Sequence, residues 1–107
     1  HGPVQRFGRE VIPMDDALGE AYIDVGGRSY LVYRVAYPQE RAGRFDLALI
    51  REFFIGISSH GLANVHVLGR YAENGHHLAE AVFKATGRAL GTALLPRSSV
   101  LSTKGVL

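Results

Sequence analysis

The 107 residues are 47% hydrophobic and 21% charged, the composition of one small globular domain with a single core. The net charge is +2, and neither a basic run nor basic residues interleaved with aromatic ones suggests a nucleic-acid partner. There is no cysteine, which excludes disulfides and thiolate metal sites, and no apolar stretch of the ~18–20 residues that a membrane span needs. These features predict a cytoplasmic protein without membrane contact.

The first part of the chain is predicted to be extended. Residues 4–13 form a short extended segment that ends at a proline, and residues 14–18 form a turn. Within that turn Asp15-Asp16 has two interpretations, a general acid–base pair or a solvated turn. Residues 21–25 and 28–37 alternate apolar and polar side chains around Gly26-Gly27, which predicts a β-hairpin.

Two helices and another strand are predicted in the rest of the chain. Residues 45–58 have apolar side chains at helical spacing before His60-Gly61 ends the helix. Residues 64–68 alternate as a strand, with His66 on the face opposite to the valines. Residues 76–94 form the second helix, whose predicted buried positions are Leu78, Val82, Ala85, Ala89 and Ala93 or Leu94.

The predicted order is therefore β-β-β-α-β-α. This order indicates an α+β fold, a four-stranded mixed or antiparallel β-sheet with two α-helices packed on one face. In the second helix Gly87 and Gly91 lower the intrinsic helix propensity. Their spacing of one turn would permit close approach of another helix there.

The start of the second helix carries candidate metal ligands. A helix advances about 100° per residue, so His76 and Glu80 share a face while His77 points roughly a quarter-turn away. One imidazole and one carboxylate can then share an ion, and the second imidazole can serve a different centre. With His66 upstream, this set suits a borderline divalent ion such as Mn²⁺, Fe²⁺ or Zn²⁺. The alternative is a solvated helix start.

These four ligands are too few for two octahedral metal ions, although the connection from strand to helix is long enough to bring all four together. Either a single metal ion binds, or another polypeptide supplies the missing ligands. The shortfall predicts a site that is shared between chains or domains.

Together with neighbouring stretches, the candidate ligands resemble the imidazoleglycerol-phosphate dehydratase family, hydro-lyases of histidine biosynthesis. The resemblance covers nearly the whole chain and is carried by residues 6–8, 13–18, 27–31, 45–46, 52–54, 66–67, 74–85 and 102–107. The family has a duplicated fold of two similar halves, with the helices between the sheets. The match is to the second, C-terminal half, which implies that residues 1–107 are a single half-domain.

The resemblance also implies the chemistry of the site. The reaction would be dehydration of imidazoleglycerol phosphate to imidazoleacetol phosphate, with two Mn²⁺ per complete active site and the substrate imidazolate between them. The metal ligands would be His66, His76, His77 and Glu80, of which the last three are the predicted catalytic residues. The substrate phosphate would be bound by Arg6, Arg28, Ser102 and Lys104. Lys84 could assist near the metal or the phosphate, and His60 would contact the substrate.

Some of these roles have structural alternatives. Arg28 could be a solubility charge at the hairpin edge, and Lys84 a partner in a surface ion pair. Glu52 stands where the family's first half would have a metal-binding histidine, a departure if this domain plays both roles.

Two functions follow from the resemblance. In one, the chain supplies half of an active site and completes it as a homo-oligomer or with a complementary first half-domain. In the other, the chain is a non-catalytic oligomeric scaffold with an incomplete or empty metal site. A stand-alone metal-binding module of other function would leave the anion-binding residues 102–104 unexplained.

Overall fold

The computed structural model describes residues 3–97, so the predictions for Ser102 and Lys104 lie outside the described residues. The elements in chain order are β1 (Phe7–Met14), β2 (Ala17–Asp24), β3 (Tyr30–Arg34), β4 (Arg41–Ala42), β5 (Phe45–Asp46), α1 (Leu49–Gly61), β6 (Asn64–Tyr71) and α2 (Gly75–Ala93). A four-stranded mixed sheet has the order β1-β2-β6-β3, in which β3 and β6 are parallel and the other neighbours antiparallel. The predicted α+β class is confirmed.

The predicted hairpin around Gly26-Gly27 is wrong. Strand β6 lies between β2 and β3, and Gly27, with a φ of +93°, turns the connection past it. The hairpin is instead β1–β2, whose two-residue turn is Asp15-Asp16, so the predicted turn at residues 14–18 is too long. A glycine pair predicts that the chain turns locally, but it does not predict which strands pair with each other. The parallel β3–β6 pairing needs a crossover, which α1 provides, and this pairing buries the apolar side chains of β6 at the centre of the sheet.

The first helix begins later than predicted. Phe45 and Asp46 pair with β4 as a two-stranded ribbon, and the Asp46 carboxylate accepts the Ala48 N–H at 3.0 Å. Helix α1 then runs from Leu49 to Gly61, and Leu62 ends it with a left-handed φ of 51°. The Asp46 side chain binds a backbone N–H group that a helix beginning at residue 45 would use. The apolar spacing alone therefore placed the start of the helix about four residues too early.

The core lies between the two helices and one face of the sheet. Within α1 the buried residues are Ile50, Phe54 and Ser58, and the buried positions predicted for α2 are confirmed. Leu94, the alternative to Ala93, is instead 51% exposed. Val65 and Val67 of β6 share one face, as predicted, and both are fully buried there.

Close packing of α2 depends on glycines of the sheet rather than on its own. A Cβ atom built at Gly8 of β1 would lie 1.9 Å from the carbonyl oxygen of Ala89, and one at Gly19 would lie 2.9 Å from the backbone of α2. At Gly87 and Gly91 a Cβ atom would meet nothing within 4 Å in the described part of the chain. No other helix of residues 3–97 therefore makes the close approach that these two glycines would permit.

The opposite face of the sheet carries polar side chains. Glu20 is only 6% exposed there, and it accepts hydrogen bonds from Tyr22 Oη (2.6 Å) and from the Arg70 guanidinium. In the adjacent row His66 pairs with Tyr22 on one side and Val32 on the other. In residues 3–97, neither helix combines the length and apolar character required to cross a membrane.

Candidate active site

The start of α2 is held by side chains from three parts of the chain. Five successive backbone N–H groups, those of residues 73–77, each donate to a side-chain oxygen. Asp16 Oδ2 accepts the first two at 2.6 and 2.7 Å, Gln39 Oε1 the third at 2.6 Å, and Asn74 Oδ1 the last two at 2.8 and 3.1 Å. Asn74 is thus the N-cap. These bonds fix the backbone that carries both histidines.

Gly75 leaves little space for a side chain at this turn, although its backbone conformation is not restricted to glycine. A Cβ atom there would lie 2.8 Å from Leu47 Cδ1 and 3.1 Å from Gln39 Oε1. The Asn74-Gly75 pair, which has the composition of a turn, is therefore an N-cap followed by a residue that packs closely against the side chains of Leu47 and Gln39.

The predicted spacing of the ligands is confirmed for the pair on one helix face. His76 Nε2 and Glu80 Oε1 are 2.6 Å apart, and both side chains are about half exposed, at 60% and 48%. His77 points elsewhere and places Nδ1 2.6 Å from Asp16 Oδ1. Its Nε2 lies 3.7 Å from Asp15 Oδ2, which is longer than a hydrogen bond. The two imidazole rings therefore point in different directions and contact different carboxylates.

The contact between His77 and Asp16 shifts the pKa of both groups. The hydrogen bond from His77 is the largest cause that lowers the pKa of Asp16 well below its usual range, and the backbone N–H groups of residues 73 and 74 act in the same direction. The pKa of His77 is raised above its ordinary value by the hydrogen bond to Asp16 and further by the charges of Asp16, Asp15 and Glu80. A protonated His77 and an ionised Asp16 thus stabilise each other.

This pair gives the metal-free chain a defined pH dependence. Asp16 stabilises the fold above the ordinary carboxyl pKa of about 3.9, and this is lost as the pH falls through its lowered pKa. His77 stabilises the fold below the ordinary imidazole pKa of about 6.5, and this is lost as the pH rises through its raised pKa. The difference in unfolding free energy between wild type and H77Q is therefore expected to be largest between about pH 4 and 6.5.

Urea unfolding in a chelating buffer across the pH range measures this difference. H60Q is the control, because the contacts of His60 in the described part of the chain are to Gly56 O and Ser59 Oγ rather than to a carboxylate. A wild-type-minus-H77Q difference that does not change with pH would contradict the ion pair.

An apolar groove adjoins the His76–Glu80 pair. It has a volume of about 640 Å³, and Lys84 lines it one turn beyond Glu80. Its apolar walls come from both helices and the β4–β5 ribbon: Ala42, Phe45, Leu47, Ile50, Ala79 and Phe83. Phe83 also packs against Phe53 and Phe54 with ring centroids 5.3 Å away, which joins the two helices. Lys84 therefore lies beside the candidate metal ligands.

His66 does not join the other candidate ligands within one chain. It lies on the sheet face opposite to the helices, in a cavity of about 590 Å³ that Arg9 and Tyr22 also line. The expectation that the strand-to-helix connection brings His66 to the start of α2 is wrong. Strand alternation turns His66 away from the core because Val65 and Val67 must be buried. Within residues 3–97, no three side chains that could bind a metal ion gather in one place.

Two of the predicted phosphate-binding residues share a different cavity. Arg6 and Arg28 line a space of about 460 Å³ beside Asn64, whose side-chain amide donates to Arg28 O at 2.8 Å. Arg6 is held by Asp24, with its Nε 2.7 Å from Oδ1. His60 lies in the last turn of α1, whose C-cap Leu62 accepts a hydrogen bond from Gly27 of the same β2–β3 connection. The guanidinium groups of Arg6 and Arg28 therefore lie together at one end of the sheet.

Strand β6 separates this cationic end from the histidine end. It has eight residues, so at about 3.3 Å per residue its ends lie roughly 23 Å apart. Arg6 and Arg28 lie beside Asn64, the first residue of β6. His77 lies in the first turn of α2, which begins shortly after β6 ends at Tyr71. Within one chain, Arg6 and Arg28 are therefore kept apart from His76, His77 and Glu80, and His66 lies nearer to the arginines.

Sequence analysis missed two residues of the site. The local sequence predicts only an acid–base pair or a solvated turn for Asp16, and it predicts no role for Gln39. Both contact the start of α2 across more than 30 positions of sequence. The signal that could have found Asp16 is the adjacent pair of acids in a turn with a histidine pair elsewhere, but only the tertiary structure joins them.

The protein belongs to the two-layer α+β class, with a mixed sheet and two helices on one face. Its polar site is a histidine–carboxylate cluster at the connection from the central strand β6 to helix α2. The family within this class follows from comparison with known proteins. The family model for imidazoleglycerol-phosphate dehydratase matches residues 1–90, and the chain belongs to that family.

Similar proteins agree in sequence and in fold. The imidazoleglycerol-phosphate dehydratase of Syntrophus aciditrophicus is 53% identical over 106 residues, which cover 95% of this chain and 54% of the relative. The Pelobacter propionicus enzyme is 46% identical over 97% of this chain and 55% of its own length. The chain thus spans about half the length of the curated relatives it matches.

Two solved structures share the fold. Imidazoleglycerol-phosphate dehydratase from Staphylococcus aureus superposes with a TM-score of 0.85 at 38% identity, covering 87% of this chain and 54% of that one. The Pyrococcus furiosus protein gives a TM-score of 0.79 at 39% identity, covering 97% and 58%. Both comparisons again match about half of the larger protein.

Proposed function

We propose that this chain supplies half of the active site of a hydro-lyase that converts imidazoleglycerol phosphate to imidazoleacetol phosphate. The observation that carries the proposal is the geometry at residues 76–80, which lie within the family match. His76 and Glu80 face each other there, and Asp16 holds His77 in a different direction. Family membership supplies the reaction, and this geometry supplies side chains suited to it.

Divalent metal ions fit these side chains. His76 Nε2 and Glu80 Oε1 are close enough to bind one ion together, and His77 Nε2 is available to a second because its Nδ1 is occupied by Asp16. Nitrogen and carboxylate ligands without sulfur suit Mn²⁺, the ion we propose. When bound, Mn²⁺ would act as a Lewis acid toward the substrate imidazole. His66 would contribute to such a site from a different copy of the chain.

The remaining residues would bind and orient the substrate. Arg6 and Arg28 offer guanidinium groups to the phosphate, and Arg6 is already oriented by Asp24. Lys84 places an ammonium group beside the His76–Glu80 pair, and the groove next to it offers apolar walls to the substrate. Ser102 and Lys104 are proposed as further phosphate ligands, and His60 as a substrate contact, on the family resemblance alone.

A second polypeptide is needed to complete the site. A small phosphorylated imidazole is far shorter than the roughly 23 Å between the two ends of β6. The phosphate ligands of one copy would therefore act with the metal ligands of another, or of a complementary first half-domain. Exposed aromatic and aliphatic side chains on the helix layer mark a surface for such a partner: Phe45, Leu49, Phe53 and Phe83.

The purified chain with Mn²⁺ and imidazoleglycerol phosphate tests the proposal. Turnover is expected once the site is complete, either from the chain as a homo-oligomer or after a first half-domain is added. Light scattering with and without Mn²⁺ measures the oligomeric state in the same samples. No turnover in either mixture would contradict an active half-site and would leave family membership intact.

One observation favours the alternative of a non-catalytic oligomeric scaffold. In the described part of the chain no three metal-binding side chains meet, so a single copy holds an incomplete site. Metal content and thermal unfolding discriminate between the two functions. Purified protein without Mn²⁺, and a Tm that added Mn²⁺ does not change, would establish the scaffold.

A further inference from the structure

The carboxylate of Asp16 joins the β1–β2 turn to the start of α2. Its Oδ1 lies 2.6 Å from His77 Nδ1, and its Oδ2 accepts the two backbone N–H groups of residues 73 and 74. The side chain is largely buried, with 22% exposed, and that of His77 is 32% exposed. Both oxygens of Asp16 are therefore occupied as acceptors in a defined geometry.

This geometry determines which ring nitrogen of His77 carries the proton. An ionised carboxylate has no hydrogen to donate, so the contact requires that Nδ1–H donates to Oδ1. In the neutral imidazole the lone pair then resides on Nε2. Metal-binding histidines commonly have this arrangement, in which a carboxylate fixes the tautomer and the orientation of the ring.

We propose that Asp16 is a positioning residue, which holds His77 in the Nδ1–H tautomer and aims its Nε2 lone pair at a divalent cation. This inference rests on the metal-ligand role proposed for His77. Asp15 is not equivalent to its neighbour, because its side chain is 75% exposed and its nearest oxygen lies 3.7 Å from Nε2. The adjacent acids thus have separate positions and only Asp16 holds the ring.

The variant D16N tests the proposal with little change in shape. The oxygen that accepts the two backbone N–H groups must remain an oxygen, so the amide NH₂ of Asn would face His77 Nδ1. That nitrogen must then accept a hydrogen bond, and the proton moves to Nε2. The matched control is D46N, since the Asp46 oxygen accepts the Ala48 N–H and an asparagine oxygen can do the same.

The first measurement needs no metal. Nitrogen-15 shifts of the His77 ring in the full chain, taken at about pH 9 where an ordinary imidazole is neutral, report the tautomer directly. The Nδ1–H form is expected in wild type and D46N, and the Nε2–H form in D16N. An unchanged tautomer in D16N would overturn the proposal.

The second measurement uses Mn²⁺ alone as the probe. Calorimetric titration is expected to show binding weakened by about 10–100-fold in D16N and unchanged in D46N. Paramagnetic broadening of the His77 ring signals should decrease in D16N, with the His76 ring as an internal reference. Equal Mn²⁺ affinity in wild type and D16N would overturn the inference alone. A wild-type chain that binds no Mn²⁺ would overturn the proposed function, and a switched tautomer in that case would still support positioning of the ring by Asp16.

Discussion

Replacement of Glu80 by glutamine is expected to weaken Mn²⁺ binding and Mn²⁺-dependent dehydration by roughly a hundredfold or more, at or above the upper range seen for residues that only support a metal ligand. Glu80 Oε1 faces His76 Nε2 at 2.6 Å, so the two would bind one ion as a pair. Glutamine keeps the shape but removes the negative charge that offsets the charge of the ion. Calorimetric titration with Mn²⁺, and turnover in the presence of a complementary half-domain, measure the two effects.

Urea unfolding of E80Q without metal shows whether the substitution affects the fold as well as Mn²⁺ binding. The Glu80 side chain is 48% exposed, so E80Q is expected to unfold at the same urea concentration as wild type when metal is absent. E40Q is the matched control, because Glu40 is exposed and lies outside the candidate site. Wild-type Mn²⁺ affinity in E80Q would remove Glu80 from the site and would favour the scaffold function.

Substitution of Gly8 by alanine is expected to lower the unfolding free energy by about 3 kcal/mol or more, the upper range for overpacking. The added methyl group would lie 1.9 Å from the carbonyl oxygen of Ala89 and 3.0 Å from the backbone nitrogen of Ala93. Backbone atoms cannot rotate away as a flexible side chain can, so α2 would have to move off β1. Urea unfolding monitored by circular dichroism measures the change.

G87A is the control for this prediction, with an effect of opposite sign. A methyl group at Gly87 meets nothing within 4 Å in the described chain, and alanine is the better helix former, so an increase of about 0.5–1 kcal/mol is expected. If another copy packs its helix against Gly87 and Gly91, G87A would instead weaken association. Equal stability of G8A and wild type would show that α2 is not packed against β1 as described.

The second helix was predictable because several local signals agree there. Asn74 is an effective N-cap, apolar side chains recur at helical spacing, and four-residue spacing fixes the approach of His76 to Glu80. The alternation in residues 64–68 likewise predicted that Val65 and Val67 share a face opposite to His66. Each of these features depends on residues within a few positions of one another.

Strand pairing was not predictable in the same way. Gly26-Gly27 has the composition of a hairpin turn, yet β2 and β3 each pair with β6, which lies more than 30 positions further along the chain. Pairing depends on which strands together bury the most apolar surface beneath the helices. A local turn signal contains no information about that competition.

The amino-acid sequence by itself determined the α+β class, the extent of α2, the burial of its apolar face and the histidine–carboxylate spacing, because these follow from local periodicity. Its motifs also pointed to the imidazoleglycerol-phosphate dehydratase family, which the comparisons confirmed. Only the tertiary structure decided that Asp16 holds His77, that His66 faces away from the helices, and that Arg6 and Arg28 lie at the far end of β6. These relations join residues distant in sequence, and they depend on the order and direction of strands in one sheet.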